Sequence, residues 1–346
     1  GSLYVDYRLA SLFARASYDY DNRYMVQATV RRDGSSRFGP GRRFGIFPSA
    51  SAAWNIKNEP FLQDNATWLS TLKFRVSWGI NGNDRIPAFQ YAAQTATGNN
   101  YVFGSGALGN EAIVNGVKTT VTPNDDLGWE QSHQTDFGLD FGFFGNSLQL
   151  TADYFYKRTE GMLQVIPVPT YLGESKPWGN VGEMSNSGIE LDMNYRYSIG
   201  DFNFSIGANA TYIKTILINA GNETGILDGG SFHQMGTITR GQNGMVYPYF
   251  YGYKTDGVFQ NWDEVNSYVG ADGSLIQPSA QPGDFRYKDL DGDGKITAEG
   301  DRTNLGKCVP AWTYGVNASI DWKGIDFSMV WQGVAGNKIF DGTRRT

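Results

Sequence analysis

Long stretches in which apolar and polar residues alternate strictly are the feature that most constrains how this chain can fold. In one stretch every second side chain is apolar or aromatic: Phe202, Phe204, Ile206, Ala208, Ala210 and Tyr212. The side chains between them are small or polar: Asn203, Ser205, Gly207, Asn209 and Thr211. Because successive side chains of a β-strand point to opposite faces, this period predicts a strand with one apolar and one polar face.

The same alternation predicts ten strands, mostly longer than the roughly five or six residues usual in β-sandwiches. They are Leu12–Tyr20, Tyr24–Arg31, Ile46–Asn55, Leu72–Ile80, Thr135–Phe143, Leu148–Lys157, Ile189–Tyr197, Phe202–Tyr212, Trp312–Trp322 and Ile325–Gln332. Many of them end in Tyr or Trp, which is typical of the aromatic girdles at membrane interfaces. The pattern predicts an all-β fold built from an antiparallel transmembrane β-barrel segment.

Short and long connections alternate between the predicted strands. The shorter ones are Asp21-Asn22, Lys57–Ser70, Phe144–Asn146, Ile199–Asp201 and Lys323-Gly324. The long ones are Asp33–Gly45, Asn81–Gln131, Thr159–Asn186 and Thr215–Lys307. Outer-membrane barrels have short periplasmic turns and long extracellular loops. We therefore expect residues 1–346 to form part of a multi-pass barrel, with residues 81–131, 159–186 and 215–307 as extracellular loops.

Composition excludes several other classes of protein. A net charge of −6 gives no basic footprint for nucleic acid. Cys308 is the only cysteine, so a disulfide framework is excluded. No apolar run approaches the roughly eighteen residues of a membrane-spanning helix. No nucleophile has a nearby base. The G-x-G-x-x-G sequence at Gly104–Gly109 is not followed by a predicted helix, as a dinucleotide-binding motif requires. Instead, Asn115-Gly116 suggests a hairpin turn. We expect a protein that is not an enzyme.

An acidic turn at residues 289–301 is the densest cluster of potential metal ligands. Alternating aspartates followed by glycine form the first part of a D-x-D-x-D-G calcium loop, in which carboxylates converge on one hard cation. The position that should hold a bidentate acid is Gly300, between Glu299 and Asp301, so the closing ligand is one residue out of register. The candidate Ca²⁺ ligands are Asp289, Asp291, Asp293, the Lys295 carbonyl, Thr297 and Asp301. The alternative is an acidic surface turn without a cation.

Several sequence blocks together resemble the SusC/RagA-type TonB-dependent outer-membrane transporters of Bacteroidota. The blocks are Arg32–Gly39, Arg43–Trp54, Thr135–Phe144, Asn180–Glu190, Tyr251–Phe259 and Pro282–Gly306. They cover nearly the whole chain in the family's order. The sequence departs from the family pattern at Gly300, where family loops commonly place an acid.

The resemblance implies a barrel of about 22 strands closed by an N-terminal plug. The chain would be the later-middle portion of such a barrel, without the plug, the TonB contact or the C-terminal strands. Family membership also implies a SusD-like surface lipoprotein partner, outer-membrane lipid around the barrel, and TonB, which supplies the work of transport. The substrate would be an oligosaccharide or a peptide.

Two other functions remain open at this point: a passive porin or adhesin barrel, and a secreted calcium-dependent carbohydrate-binding β-protein. Loop aromatics are candidates for stacking on a sugar ring or a peptide side chain, although packing of loop against loop is the favoured explanation for any one of them. These candidate substrate-binding residues are Tyr101, Trp129, Tyr171, Trp178 and Tyr249.

Overall fold

The structure is a computed structural model that describes residues 7–63, 65–103, 112–166, 171, 173–233 and 236–342. Its strands in chain order are β1 (Leu9–Tyr20), β2 (Tyr24–Ser35), β3 (Phe44–Asn55), β4 (Leu69–Asn83), β5 (Gln94–Phe103), β6 (Ala112–Val121), β7 (Glu130–Phe143), β8 (Leu148–Glu160), β9 (Leu163–Val165), β10 (Trp178–Asn180), β11 (Glu183–Ile199), β12 (Phe202–Asn219), β13 (Ile226–Asp228), β14 (Thr239–Gln242), β15 (Tyr249–Tyr253), β16 (Thr255–Val258), β17 (Phe285–Tyr287), β18 (Arg302–Lys307), β19 (Trp312–Trp322) and β20 (Ile325–Ala335). The helices are a 3-10 turn (Ile56–Asn58), α1 (Pro60–Gln63) and α2 (Trp262–Ser267). Across the described ranges no helix has the length and apolar character needed to cross a membrane.

Ten strands form one sheet in the order β1-β2-β3-β4-β7-β8-β11-β12-β19-β20. These are the ten strands that the alternation predicts, so the predicted fold class is confirmed. The prediction of a hairpin turn at Asn115-Gly116 is wrong, because both residues lie within β6 and pair with Asn100 and Asn99 of β5. The G-x-G-x-x-G sequence at Gly104–Gly109 lies outside the residues that the structure describes.

The strand register carries the alternation across neighbouring strands. Leu191 of β11 pairs with Ala152 of β8 and with Ala210 of β12, and this row is apolar. The adjacent residue Asp192 pairs with Thr151 and Asn209, and that row is polar. Each face of the sheet is therefore uniform over several strands.

The apolar face remains exposed along the sheet. Among its large exposed side chains are Leu12, Tyr18, Phe137, Leu139, Tyr154, Ile189 and Leu191. A water-soluble protein rarely exposes an apolar surface of this extent, so the face requires an apolar environment such as lipid hydrocarbon.

Aromatic rings line the short-turn end of the sheet. Tyr24 stacks on Tyr20 with ring centroids 6.5 Å apart, and on Trp54 at 6.4 Å. Further along the same end, Trp68 stacks on Phe143 at 5.8 Å. Tyr and Trp rings place an apolar body next to a polar tip, which suits the boundary between lipid and water.

The chain divides into two compact units, residues 1–225 with 313–333, and residues 226–312 with 334–346. The first unit contains the ten-stranded sheet, the β5–β6 hairpin and the β9–β10 pair. Its small apolar core is the buried cluster of Phe38, Ile86 and Leu127, which lies in the connections and not on the sheet.

The second unit contains a four-stranded sheet in the order β13-β14-β15-β18, the pair β16–β17, and α2. Its core is Phe259, Val265 and Ala280. The sequence pattern predicts no strands here, because these strands span only three to six residues, too few to show a period.

Candidate functional site

The acidic turn joins β17 to β18 in the second unit, and it brings together three carboxylates. One oxygen each from Asp289, Asp291 and Asp301 lies within 4.8 Å of the other two. The alternating pattern predicts that Asp293 is a ligand together with Asp289 and Asp291, but Asp293 lies outside this group. Its Oδ1 instead accepts a hydrogen bond of 2.8 Å from the Lys295 backbone N–H.

Backbone N–H groups hold the turn in shape. Asp289 accepts from the N–H of Gly292 at 2.7 Å and from that of Gly294 at 2.9 Å. Asp301 accepts from the N–H of Leu290 and from that of Thr297, both at 2.7 Å. Because the carboxylate oxygens have further lone pairs, these bonds leave room for a cation to bind as well.

Gly300 explains why the closing position is one residue out of register. A Cβ at Gly300 would lie 2.0 Å from Oδ2 of Asp291, so a larger residue would displace that carboxylate. The absent side chain leaves space for Asp291, and Asp301 supplies the third carboxylate. The Thr297 Oγ1 accepts a 3.0 Å hydrogen bond from the Gly300 N–H, so this hydroxyl helps to hold the backbone of the turn.

Asp301 is a buried charge without a cationic partner in the described part of the chain. Its exposure is 0%. Burying a carboxylate is costly unless its charge is compensated, and two backbone N–H donors compensate it only in part. A cation bound beside Asp301 would supply the rest of the compensation.

Of the five aromatic candidates, two tryptophans pack against the first unit's apolar core. Trp129 and Trp178 both contact the Phe38, Ile86 and Leu127 cluster. The Trp129 indole N–H also donates to the Arg43 carbonyl at 3.0 Å. This environment favours a packing role for both residues.

The three tyrosines differ in exposure. Tyr249 is only 2% exposed, and burial raises the pKa of its hydroxyl. Its environment also favours packing over stacking on a ligand. Tyr101 is 65% exposed and Tyr171 is 84% exposed, so these two rings are accessible. They lie on separate connections, β4–β7 and β8–β11, which are joined by a bridge between Val121 and Ser175.

A charged network on the polar face is a feature that sequence analysis missed. The Arg75 guanidinium of β4 donates to both oxygens of Asp140 in β7, at 2.8 and 3.0 Å. It also donates to Asp153 of β8 at 2.9 Å. One arginine thus links three neighbouring strands. The alternation marks these residues as polar-facing, but only the register shows that they meet.

A ten-stranded antiparallel sheet with a continuous apolar face, an aromatic rim and a charged opposite face defines the wall of a transmembrane β-barrel. The chain belongs to the TonB-dependent receptor-like β-barrel family, and the match to this family covers residues 2–337.

Named relatives agree with this assignment. TonB-dependent receptor P3 of Formosa agariphila is 34% identical over 340 residues, which are 97% of this chain and 32% of that protein. TonB-dependent receptor SusC of Bacteroides thetaiotaomicron is 28% identical over 345 residues, 96% of this chain and 32% of that protein. The chain thus spans about a third of the length of the curated relatives it matches.

Solved structures give the same result. The RagAB peptide transporter matches with a TM-score of 0.75 and 26% identity, over 95% of this chain and 34% of that chain. The RagAB peptide importer in the open-open state matches with a TM-score of 0.76 and 25% identity, over 96% of this chain and 33% of that chain. The resemblance to SusC/RagA-type receptors is confirmed.

Proposed function

We propose that the chain is part of an active importer in the outer membrane of a Gram-negative bacterium of the Bacteroidota, and that the importer takes up oligosaccharides or peptides. The observation that carries this proposal is the match to RagAB over 95% of the chain. The similarity to SusC in sequence supports it from a second direction.

In this proposal the ten-stranded sheet is barrel wall. Its apolar face contacts lipid, and its polar face lines the water-filled or plugged lumen. The Arg75 network ties neighbouring strands together on the lumen side. The long connections form the outer surface, where a SusD-like lipoprotein docks and substrate enters. TonB supplies the work of transport.

Growth and uptake measurements test the proposal. A strain lacking the whole receptor gene should lose growth on one class of substrate, short peptides or oligosaccharides, and keep growth on amino acids and monosaccharides. Uptake of that substrate should stop when a protonophore dissipates the proton-motive force. Uptake that persists with the protonophore would show a passive porin. A deletion strain that grows like its parent on both substrate classes would refute import.

We also propose that the acidic turn binds Ca²⁺. Support comes from the three carboxylates within 4.8 Å and from the full burial of Asp301 without a cationic partner in the described residues. Calcium prefers oxygen ligands at about 2.3–2.6 Å and tolerates irregular geometry. The Lys295 carbonyl and Thr297 remain candidate further ligands. The ion would stiffen the turn and take no part in chemistry.

A further inference from the structure

A cavity of about 590 Å³ lies in the second unit. Its wall is mainly apolar and aromatic, and includes Phe250, Leu305 and Phe340. Tyr253 and Tyr287 also line it, with their ring centroids 5.3 Å apart. The volume falls within the range of about 300–1,000 Å³ that is typical of ligand-binding pockets.

The lining of the cavity is positively charged and contains no acidic side chain. Its charged residues are Arg302 and Lys338. Arg302 is engaged already: it donates to the backbone carbonyls of Thr237 and Tyr251, and its guanidinium lies over the Tyr251 ring at 4.4 Å. Arg240 covers the same ring at 3.6 Å. Arg302 therefore serves to position the wall.

Lys338 is the charged lining residue that is available to bind a ligand. Its backbone N–H donates to the Lys307 carbonyl at 2.8 Å, which fixes the residue beside β18. Its side chain runs past Gly306, where an added Cβ would lie 2.9 Å from the Lys338 Cγ. Among the described residues its ammonium group has no hydrogen-bond or ion-pair partner. A compact ammonium at the edge of an apolar cavity favours a ligand with one anionic group and an apolar body.

The lining argues for a peptide and against a sugar. Sugar hydroxyls need side-chain acceptors and amides, yet the cavity wall contains no Asp, Glu, Asn or Gln. A carboxyl-terminal residue with an apolar side chain carries the required pair of features, and proteins recognise such termini by their carboxylate. We propose that this cavity is a subsite for the carboxyl-terminal residue of a peptide. The Lys338 ammonium group binds the terminal carboxylate, and the apolar wall surrounds the side chain. This inference rests on the import function proposed above.

Binding to the complete purified receptor in detergent tests the subsite. The probe is the tripeptide Ala-Ala-Phe, compared by titration calorimetry with its carboxyl-terminal amide and with Ala-Ala-Ala. We expect the amide to bind about tenfold more weakly, which corresponds to about 1.4 kcal/mol. Ala-Ala-Ala should also bind more weakly, because it lacks the apolar body. K338Q should weaken Ala-Ala-Phe about tenfold and remove the difference between acid and amide. K118Q, which changes an exposed lysine in the first unit, should bind like the wild type.

Equal binding of the acid and the amide would overturn the subsite, as would unchanged binding by a folded K338Q. Tight, Lys338-dependent binding of a glucuronate-containing disaccharide would assign the cavity to acidic sugars and overturn it too. Circular dichroism and heat-modifiable gel mobility establish that K338Q is folded. These binding results are independent of the growth experiment: the subsite can fail while import stands, and a strain without a growth defect would refute import whatever the tripeptide does.

Discussion

An arginine at Ile206 tests which face of the sheet contacts lipid. Ile206 of β12 pairs with Tyr195 of β11, and shares its face with Phe204 and Ala208. If this face contacts hydrocarbon, I206R places a charge where no water can solvate it. We expect the substitution to lower the free energy of unfolding by roughly 2–4 kcal/mol, the range for arginine at the middle of a bilayer.

The depth of Ile206 sets that magnitude. Ile206 is the fifth residue of β12, which begins at Phe202. With a rise of about 3.3 Å per residue and a tilt of about 45°, it lies about 9 Å deeper than Phe202 along the membrane normal. The apolar band of such barrels is about 25 Å tall, so this depth is close to its middle when Phe202 is at the boundary.

Asn209 offers a matched control on the opposite face. It is exposed and pairs with Asp192, whose carboxylate would attract a new arginine. We expect N209R to change stability by less than about 1 kcal/mol, as exposed ion pairs do. The assay is urea unfolding of the complete receptor in lipid vesicles, followed by tryptophan fluorescence. Equal losses in I206R and N209R, or a larger loss in N209R, would refute the assigned faces.

Substitutions elsewhere in the chain have direct readouts too. R75M removes a cation held by four charged hydrogen bonds. It should therefore cost about 1–2 kcal/mol in the same urea assay after allowance for solvent screening, while K73M on the same face should cost less than half as much. Equal losses would contradict the network. Millimolar Ca²⁺ should slow proteolysis of the acidic turn in the wild type and in D293N but not in D301N. If neither Ca²⁺ nor a chelator changes the proteolysis rate of the wild type, the acidic turn binds no ion. Burial raises the pKa of the Cys308 thiol, so maleimide should label it more slowly at pH 7.5 than an exposed thiol, with a rate that keeps rising above pH 9; equal rates would contradict its burial.

The sequence was sufficient to predict the strands of the barrel wall but not their full lengths. Lipid on one face and water on the other require strict alternation, so every strand of the main sheet shows the period. The strands then continue past the predicted ends: β11 begins at Glu183 instead of Ile189, and β12 continues to Asn219 past Tyr212. Beyond the apolar band both faces meet water, so alternation is no longer required there.

The sites were less predictable, because they depend on contacts between distant residues. The alternating aspartates locate the turn, and Asp301 is among the residues predicted to close it, yet Asp293 lies outside the carboxylate group. The cavity combines Tyr253 with Lys338, which are far apart in the chain and carry no shared motif. Only the folded second unit brings such residues together.

The small sheet of the second unit has a consequence for the order of folding. β12 and β19 are neighbours in the main sheet but are separated by the longest connection in the chain. Closing a flexible loop costs entropy that grows by about 0.6 kcal/mol for each doubling of its length. Within that connection, Tyr249 of β15 pairs with Lys307 of β18, so the two ends of most of the intervening chain meet inside the second unit. If this unit forms first, β19 arrives beside β12 as if joined by a much shorter linker, and the wall can grow strand by strand without waiting for a rare long-range encounter.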